Sequence, residues 1–174
     1  MCKMTSDYLP FSRGDGDMRC IVTYTSKHLG NTKKIAEAIA DELKCECLEL
    51  SKIEAKKLLD YELIFIGSGI YAWDFDKRVY SVISKISTGD TKKVAIFSTS
   101  ADPNGIRYHK RIKRFLESKN FEILGEYNCP GEFSFWFFKR FILNNGRPDL
   151  SDLNRARDFA LSVFNKATQG SLSS

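Results

Sequence analysis

Short apolar segments alternate along this chain with segments of helical periodicity. The apolar segments are Cys20–Tyr24, Cys45–Leu50, Tyr61–Gly67, Lys93–Ser98 and Phe121–Tyr127. Apolar residues recur every three or four positions, as on the buried face of a helix, in Thr32–Lys44, Asp74–Ser87, Tyr108–Lys119 and Leu150–Lys166. Strands that are apolar on both faces and separated by amphipathic helices predict an α/β fold, with a parallel sheet covered by helices on both sides.

The chain of 174 residues is long enough for one domain, which we place at residues 18–168. Residues 1–17 are predicted to form a disordered tail and residues 169–174 a short second tail. Right-handed crossovers in such a sheet produce a three-layer sandwich, whose ligands lie beyond the carboxyl ends of the strands. The loops to consider are therefore Thr25–Asn31, Ser68–Asp74 and Thr99–Gly105.

Several classes of protein are excluded or disfavoured by composition. The longest charge-free stretch within a strongly apolar region, Leu63–Trp73, has 11 residues, whereas a membrane-spanning helix needs roughly 20. The amino-terminal residues contain no apolar core of a secretory signal, so a cytoplasmic location is predicted. The two histidines are far apart, and the five cysteines contain no Cys-x-x-Cys spacing, so we expect no metal site.

The basic charge is concentrated in one segment. Arg107–Lys119 contains six basic residues and one acid, an excess of five that equals the net charge of +5 for the whole chain. Nucleic-acid binding would need a broader basic stripe or a recognised motif, and neither is present. Two interpretations remain: a solvated helix face, or a docking patch for an acidic partner or an anionic membrane surface.

The first loop has the chemistry of a phosphate site. Thr25, Ser26 and Thr32 supply hydroxyl groups, and the start of the following helix supplies backbone N–H groups and a favourable dipole. Gly30 permits a close backbone approach or a positive φ. The loop matches neither the P-loop nor the Gly-x-Gly-x-x-Gly pattern, and a capped helix start without a ligand is the alternative.

The residues from Ile21 to Ala36, with Thr25-Ser-Lys-His-Leu-Gly-Asn-Thr32 at their centre, resemble the signature of the flavodoxin family. Further matches are Ile66–Tyr71, Phe97–Ser100 and Asn145–Asp149, so the resemblance covers about residues 19–166. It implies a flavodoxin-like three-layer sandwich with a five-stranded parallel sheet in the order 2-1-3-4-5, and FMN as the cofactor.

The resemblance also implies the residues of the cofactor site. Tyr71 and Trp73 would supply flat surfaces for the flavin ring, and the third loop would hold its pyrimidine edge. The full predicted set is Thr25, Ser26, Lys27, His28, Gly30, Asn31, Thr32, Ser68, Gly69, Ile70, Tyr71, Trp73, Thr99, Ser100, Ala101 and Asp102. No catalytic side chain is predicted, because the flavin would perform any chemistry.

The segment Phe133–Phe141 is unusually aromatic, with five phenylalanines and Trp136. One interpretation is a small core under a long connection. The other is an exposed apolar surface for a partner, a peripheral membrane contact or a flat substrate. The stretch Trp136-Phe-Phe-Lys-Arg-Phe141 also resembles the corresponding connection of flavodoxin-like protoporphyrinogen dehydrogenases, although the insertion here is short.

Three functions follow from these features. The first is an electron carrier that binds FMN and exchanges electrons with redox proteins, acidic ones included. The second is an FMN-dependent dehydrogenase or quinone reductase of the protoporphyrinogen-dehydrogenase type. The third is an interaction module without FMN, against which the phosphate loop and the two aromatic residues argue. The fold by itself does not choose between the first two.

Overall fold

The computed structural model describes residues 18–27, 29–86, 89–134 and 142–171. The strands are β1 (Cys20–Thr25), β2 (Glu46–Glu49), β3 (Leu63–Tyr71), β4 (Asp74–Phe75), β5 (Lys92–Ser100), β6 (Phe121–Pro130), β7 (Phe133–Ser134) and β8 (Ile142–Leu143). The α-helices are α1 (Asn31–Leu43), α2 (Lys77–Ile83), α3 (Lys110–Glu117) and α4 (Leu150–Ser171). Short 3₁₀ segments cover Leu50–Lys52, Ala55–Asp60 and Gly105–His109.

Five parallel strands form the central sheet in the order β2-β1-β3-β5-β6. This is the predicted order of the five apolar segments, so the predicted fold class is confirmed. The short strand β4 folds back antiparallel onto the end of β3. Strands β7 and β8 form a separate antiparallel pair at the two ends of the aromatic segment, of which residues 135–141 lie outside the described residues.

Each face of the sheet has its own apolar core, because successive side chains of a strand point to opposite faces. On one face, α1 and α4 pack against Val22, Phe65 and Phe97. On the other, α2 and α3 pack against Ile21, Ile64 and Ile96. Burial of both faces explains why the central strands are apolar at almost every position. In the described residues, no helix is both long and apolar enough to cross a bilayer.

The boundaries of three predicted elements differ from the structure. The helix predicted over Asp74–Ser87 is α2, which begins at Lys77, because Asp74 and Phe75 pair with the end of β3 instead. For the same reason β3 continues to Tyr71 and contains residues that were predicted to form the second loop. Strand β5 likewise continues to Ser100 because β6 pairs with it over that length.

The last helix starts where the sequence predicts but runs beyond Lys166 to Ser171. Its N-cap is Asp149, and Ser151 lies within the first turn. The side chain of Asp149 accepts a hydrogen bond from the Asp152 backbone N–H, and Asp152 accepts one from the Asp149 N–H, both at 3.0 Å. These reciprocal bonds form a capping box that satisfies two N–H groups at the helix start. The predicted tail 1–17 lies outside the described residues.

Candidate functional site

A cavity of about 490 Å³ lies at the carboxyl ends of β3 and β5, next to the start of α1. This is the position at which ligands bind in doubly wound folds, and the volume lies within the range of about 300–1,000 Å³ for small-molecule sites. The lining residues are Lys27, Leu29, Asn31, Thr32, Gly69, Ile70, Tyr71, Thr99, Ser100, Ala101, Gly131, Glu132 and Phe133.

The loop that precedes α1 has the features of an anion site. Gly30 occupies the N-cap position with φ of 72°, a left-handed conformation that favours glycine. Among the described residues no side chain caps α1, and its first turn contains no acid, so its N–H groups and dipole are available to a ligand. The hydroxyl of Ser26 is buried without a hydrogen-bond partner in the part of the chain that the structure describes.

Asn31 adds a second unpartnered atom. Its amide nitrogen donates to the Glu132 carbonyl at 2.8 Å, whereas its Oδ1 is buried and has no partner among the described residues. A hydroxyl group such as that of Ser26 donates, and an amide oxygen accepts. Together the two atoms suit a ligand that carries both an anionic group and hydroxyl or N–H groups.

Lys27, one of the predicted cofactor-binding residues, contacts Asp76 and Tyr71 within the protein. Its ammonium lies 2.8 Å from the Asp76 carboxylate and 4.4 Å from the centre of the Tyr71 ring. Burial disfavours a charged Asp76, but hydrogen bonds from Arg78 and Lys27 outweigh it and hold the pKa of Asp76 below its usual range. Lys27 therefore lines the cavity with its ammonium committed to an internal ion pair.

Two hydroxyl contacts connect the loops around the cavity. Thr32 and Thr99 lie 2.8 Å apart, which links the first turn of α1 to the end of β5. Thr25 donates to Ser68 at 3.3 Å, and Ser68 also accepts from the Asp76 N–H at 2.9 Å. Thr25 and Ser68 are buried and do not line the cavity, so the structure places them behind its wall.

Of the two aromatic residues predicted to bind the flavin ring, only Tyr71 lies at the cavity. Tyr71 lines the cavity and its ring lies against Gly69, where a Cβ would be 2.6 Å from the tyrosine hydroxyl. Burial and the nearby Asp76 charge raise the pKa of Tyr71, which keeps its hydroxyl protonated. Trp73 is 76% exposed and does not line the cavity. The tight β3–β4 turn, with positive φ at Ala72 and Trp73, points these side chains apart.

Only part of the third predicted loop lies at the cavity. Thr99, Ser100 and Ala101 line the cavity, whereas Asp102 does not. Asp102 accepts hydrogen bonds from the Asn104 N–H and the Tyr108 hydroxyl and pairs with Arg107. These contacts, the backbone N–H first, hold the pKa of Asp102 below its usual value. His28, the remaining predicted residue of the first loop, lies outside the described residues.

Four lining residues were missed by sequence reasoning: Leu29, Gly131, Glu132 and Phe133. Leu29 is the one strongly apolar residue of the polar first loop, which is a local signal for a ligand contact. Residues 131–133 follow β6, and the Gly131 N–H donates to the Ser100 carbonyl at 2.8 Å. The loop after the fifth predicted strand lies at the same edge of the sheet as the three predicted ligand loops, because the carboxyl ends of parallel strands meet at one edge.

A buried polar chain lies behind the third loop. Ser98 lies 2.7 Å from His109 Nε2, and His109 Nδ1 lies 3.1 Å from Glu126. This order matches a hydrolase triad, but Ser98 and His109 are fully buried, so no substrate reaches them. Burial lowers the pKa of His109 despite the opposing effect of Glu126. Ser98 and Ser100 both contact Asn128 Oδ1, at 2.9 and 3.1 Å, so the chain supports the cavity wall at Ser100.

Comparison with known proteins gives the family. A model described as a flavodoxin domain matches residues 21–125. The chain is 39% identical over 149 residues to the uncharacterized protein MJ0298 of Methanocaldococcus jannaschii, a match that covers 84% of this chain and 99% of the relative. It is 32% identical over 125 residues to the flavodoxin-like domain-containing protein BilS of Clostridioides difficile, covering 66% of this chain and 67% of BilS. The chain therefore belongs to the flavodoxin-like family.

Solved structures agree with the fold. Flavodoxin 2 from Bacillus cereus matches with a TM-score of 0.63 at 20% identity, over 85% of this chain and 99% of that one. A flavodoxin from the domain Archaea matches with a TM-score of 0.62 at 16% identity, over 86% and 99% of the two chains. The family and the fold make this chain a flavodoxin-like protein.

Proposed function

We propose that this chain binds FMN in the cavity beside α1 and carries electrons between redox proteins in the cytoplasm. The observation that carries the proposal is the start of α1, where Asn31 and Thr32 line the cavity and the N-cap Gly30 offers no side chain to the helix N–H groups. The preceding loop adds the buried, unpartnered Ser26 hydroxyl, although Ser26 does not itself line the cavity. A hydrogen-bond donor left unpaired in this position costs free energy unless a ligand accepts from it. A phosphate group accepts hydrogen bonds and is favoured at a helix amino end.

The other residues of the cavity fit the rest of FMN. The Asn31 Oδ1 atom would accept from a hydroxyl of the ribityl chain. Gly69 and Tyr71 would border the ring on one side, and residues 99–101 on the other. When bound, FMN supplies the redox chemistry. The protein binds and orients it, while the neutral Tyr71 hydroxyl and the Lys27–Asp76 pair place no net charge beside it.

The first experiment measures FMN binding by absorbance and fluorescence titration of the flavin-free chain. Tyr71→Ala and Trp73→Ala are compared as a pair, because only Tyr71 lines the cavity. We expect Tyr71→Ala to weaken binding by about fivefold, the loss of an aromatic contact of about 1 kcal/mol, and to raise emission from the bound flavin. Trp73→Ala should leave both close to wild type.

Absence of FMN uptake by the wild-type chain would contradict the proposal, as would preference for FAD at equal concentration. The enzyme alternative is tested on the loaded protein. Rapid two-electron reoxidation by a quinone, with turnover of a porphyrinogen, would favour a dehydrogenase. Reductive titration in one-electron steps, without such turnover, would favour the carrier.

A further inference from the structure

A second concave region lies beside α3. This groove, of about 330 Å³, runs between the 3₁₀ segment with α3 on one side and β6 on the other. Its lining residues are Ile106, Arg107, Lys110, Lys113, Arg114, Glu117 and Glu126. We call it the basic groove, because four of its seven residues are cationic. It contains four of the six basic residues of the segment Arg107–Lys119.

Two of the four cations form no ion pair with the described residues of the chain. Arg107 pairs with Asp102, and Lys113 lies 3.0 Å from Glu126. In the part of the chain that the structure describes, Lys110 and Arg114 pair with no acid, and both are exposed. They lie four residues apart on one helix face, where like charges repel each other and destabilise the helix. An external anion in the groove would relieve this repulsion.

The basic groove is joined to the cofactor cavity by the third loop. Ala101 lines the cavity, and the next residue, Asp102, pairs with Arg107 of the groove. The Tyr108 hydroxyl donates to the same Asp102 carboxylate at 2.9 Å. A partner seated in the groove would therefore lie beside the cavity, as electron exchange requires.

Trp73 is an exposed aromatic residue on a turn that contacts α3 through Arg111, which does not line the groove. It is 76% exposed, and the next residue, Asp74, pairs with Arg111 of α3 at 2.7 Å. The Arg111 guanidinium also lies 5.2 Å from the centre of the Tyr80 ring. The turn that carries Trp73 is thus fixed to the basic helix. Tryptophan and arginine are the residue types most enriched where protein interfaces gain their binding energy.

We propose that the basic groove is the docking surface for a redox protein with an acidic face. The inference rests on the proposed electron-carrier function and adds the chemistry of its partner. A protein fits better than a membrane, because Ile112 and Leu116 of α3 are buried in the core and Phe115 is half-buried, so α3 presents no apolar face for insertion.

The test compares two variants that change the net charge equally. Lys110→Glu with Arg114→Glu reverses the two unpaired cations of the groove. Lys56→Glu with Lys57→Glu is the control, because these exposed lysines precede the amino end of β3, at the opposite end of the sheet. The first probe is fluorescently labelled poly-L-glutamate, and the flavin-free chain is titrated into it by anisotropy at low and high salt.

We expect the wild-type chain to bind the acidic peptide at low salt and to lose binding as salt screens the charges. The groove variant should bind at least tenfold more weakly, and the control should stay within about twofold. A control that weakens binding as much as the groove variant would overturn the proposal, since only net charge would then matter. Binding to vesicles containing phosphatidylserine, without binding to the peptide, would also overturn it.

The second probe is ferricyanide, a trivalent anion, mixed in stopped flow with the FMN-loaded and photoreduced protein. Two ferricyanide ions are each reduced by one electron for every flavin that is oxidised, and the protons pass to solvent. The wild-type rate should fall with ionic strength, whereas the groove variant should be slower at low salt and speed up as salt is added. Identical salt profiles for wild type and groove variant would contradict the docking surface. Failure to load FMN would contradict the carrier function instead, and the peptide titration would still decide the surface.

Discussion

The Ser26 hydroxyl is the atom that most directly links this sequence to a ligand. A serine in a polar loop is ordinary, and its significance comes from burial without a partner among the described residues. Thr25 and Thr32, which the sequence presents as equivalent donors, have partners in Ser68 and Thr99. At the residue scale, the three hydroxyls of the loop therefore have different roles.

Ser26→Ala should separate ligand binding from stability. Removal of an unsatisfied buried hydroxyl should leave the free energy of unfolding of the flavin-free chain unchanged or raise it by up to about 1 kcal/mol. Loss of a donor to an anionic phosphate should weaken FMN binding by about tenfold or more. Urea unfolding and flavin titration measure the two effects. Ser81→Ala, at an exposed position of α2, is the control and should change neither. A destabilised variant with normal FMN affinity would show that Ser26 has an internal role.

At the scale of the element, α2 depends on its cap. The helix has only seven residues, too few to be stable without tertiary support. Asp76 accepts from the Arg78 backbone N–H at 2.9 Å and pairs with the side chains of Arg78 and Lys27. One carboxylate thus starts α2 and holds the first loop to it.

Asp76→Asn keeps an acceptor for the cap but removes the charge. We expect a loss of about 1–2 kcal/mol at pH 7, because the two cations are partly exposed and the ion pairs are partly screened. The pKa of Asp76 is lower in the folded protein than in the unfolded chain. The carboxylate therefore stabilises the fold above about pH 4, and this contribution disappears as pH falls further.

Urea unfolding at pH 7, 5 and 3 tests this. The difference between wild type and Asp76→Asn should be constant from pH 7 to 5 and should shrink at pH 3. The control is Asp90→Asn, at an exposed position, which should stay within about 0.5 kcal/mol of wild type. A difference that is the same at all three values would mean that the charge of Asp76 does not contribute.

At the scale of the whole molecule, the cavity lies where one edge of the sheet meets the start of α1. It is bordered by the start of α1, the ends of β3 and β5, and the residues after β6. These segments are far apart in sequence and meet only in the folded chain. A ligand held by all of them binds the folded state and not the unfolded one, so it must stabilise the fold as a whole.

FMN at 100 times its dissociation constant should add about 2.7 kcal/mol to the free energy of unfolding. For a domain of this size that corresponds to a rise in Tm of about 5–11 °C. Differential scanning calorimetry measures it, with riboflavin at the same concentration as the matched control. Riboflavin lacks the phosphate that Ser26 and α1 would bind, so its shift should be clearly smaller. Equal shifts would show that the phosphate is not recognised.

The alternation of apolar strands and amphipathic helices was sufficient to predict the layers of the fold, because that pattern is local and repeats along the chain. The ligand edge followed from the same rule, since it depends only on strand direction. The order of the strands came from the resemblance to the flavodoxin family. Lys27, by contrast, was predicted to bind the cofactor, and its pairing with Asp76 depends on a residue 49 positions away. The sequence predicts the same ring-binding role for Tyr71 and Trp73. In the structure β4 pairs with the end of β3, and only Tyr71 lines the cavity. Contacts between distant segments decided which predicted side chains reach the cavity, because each depends on the position of a neighbouring strand that no local pattern encodes.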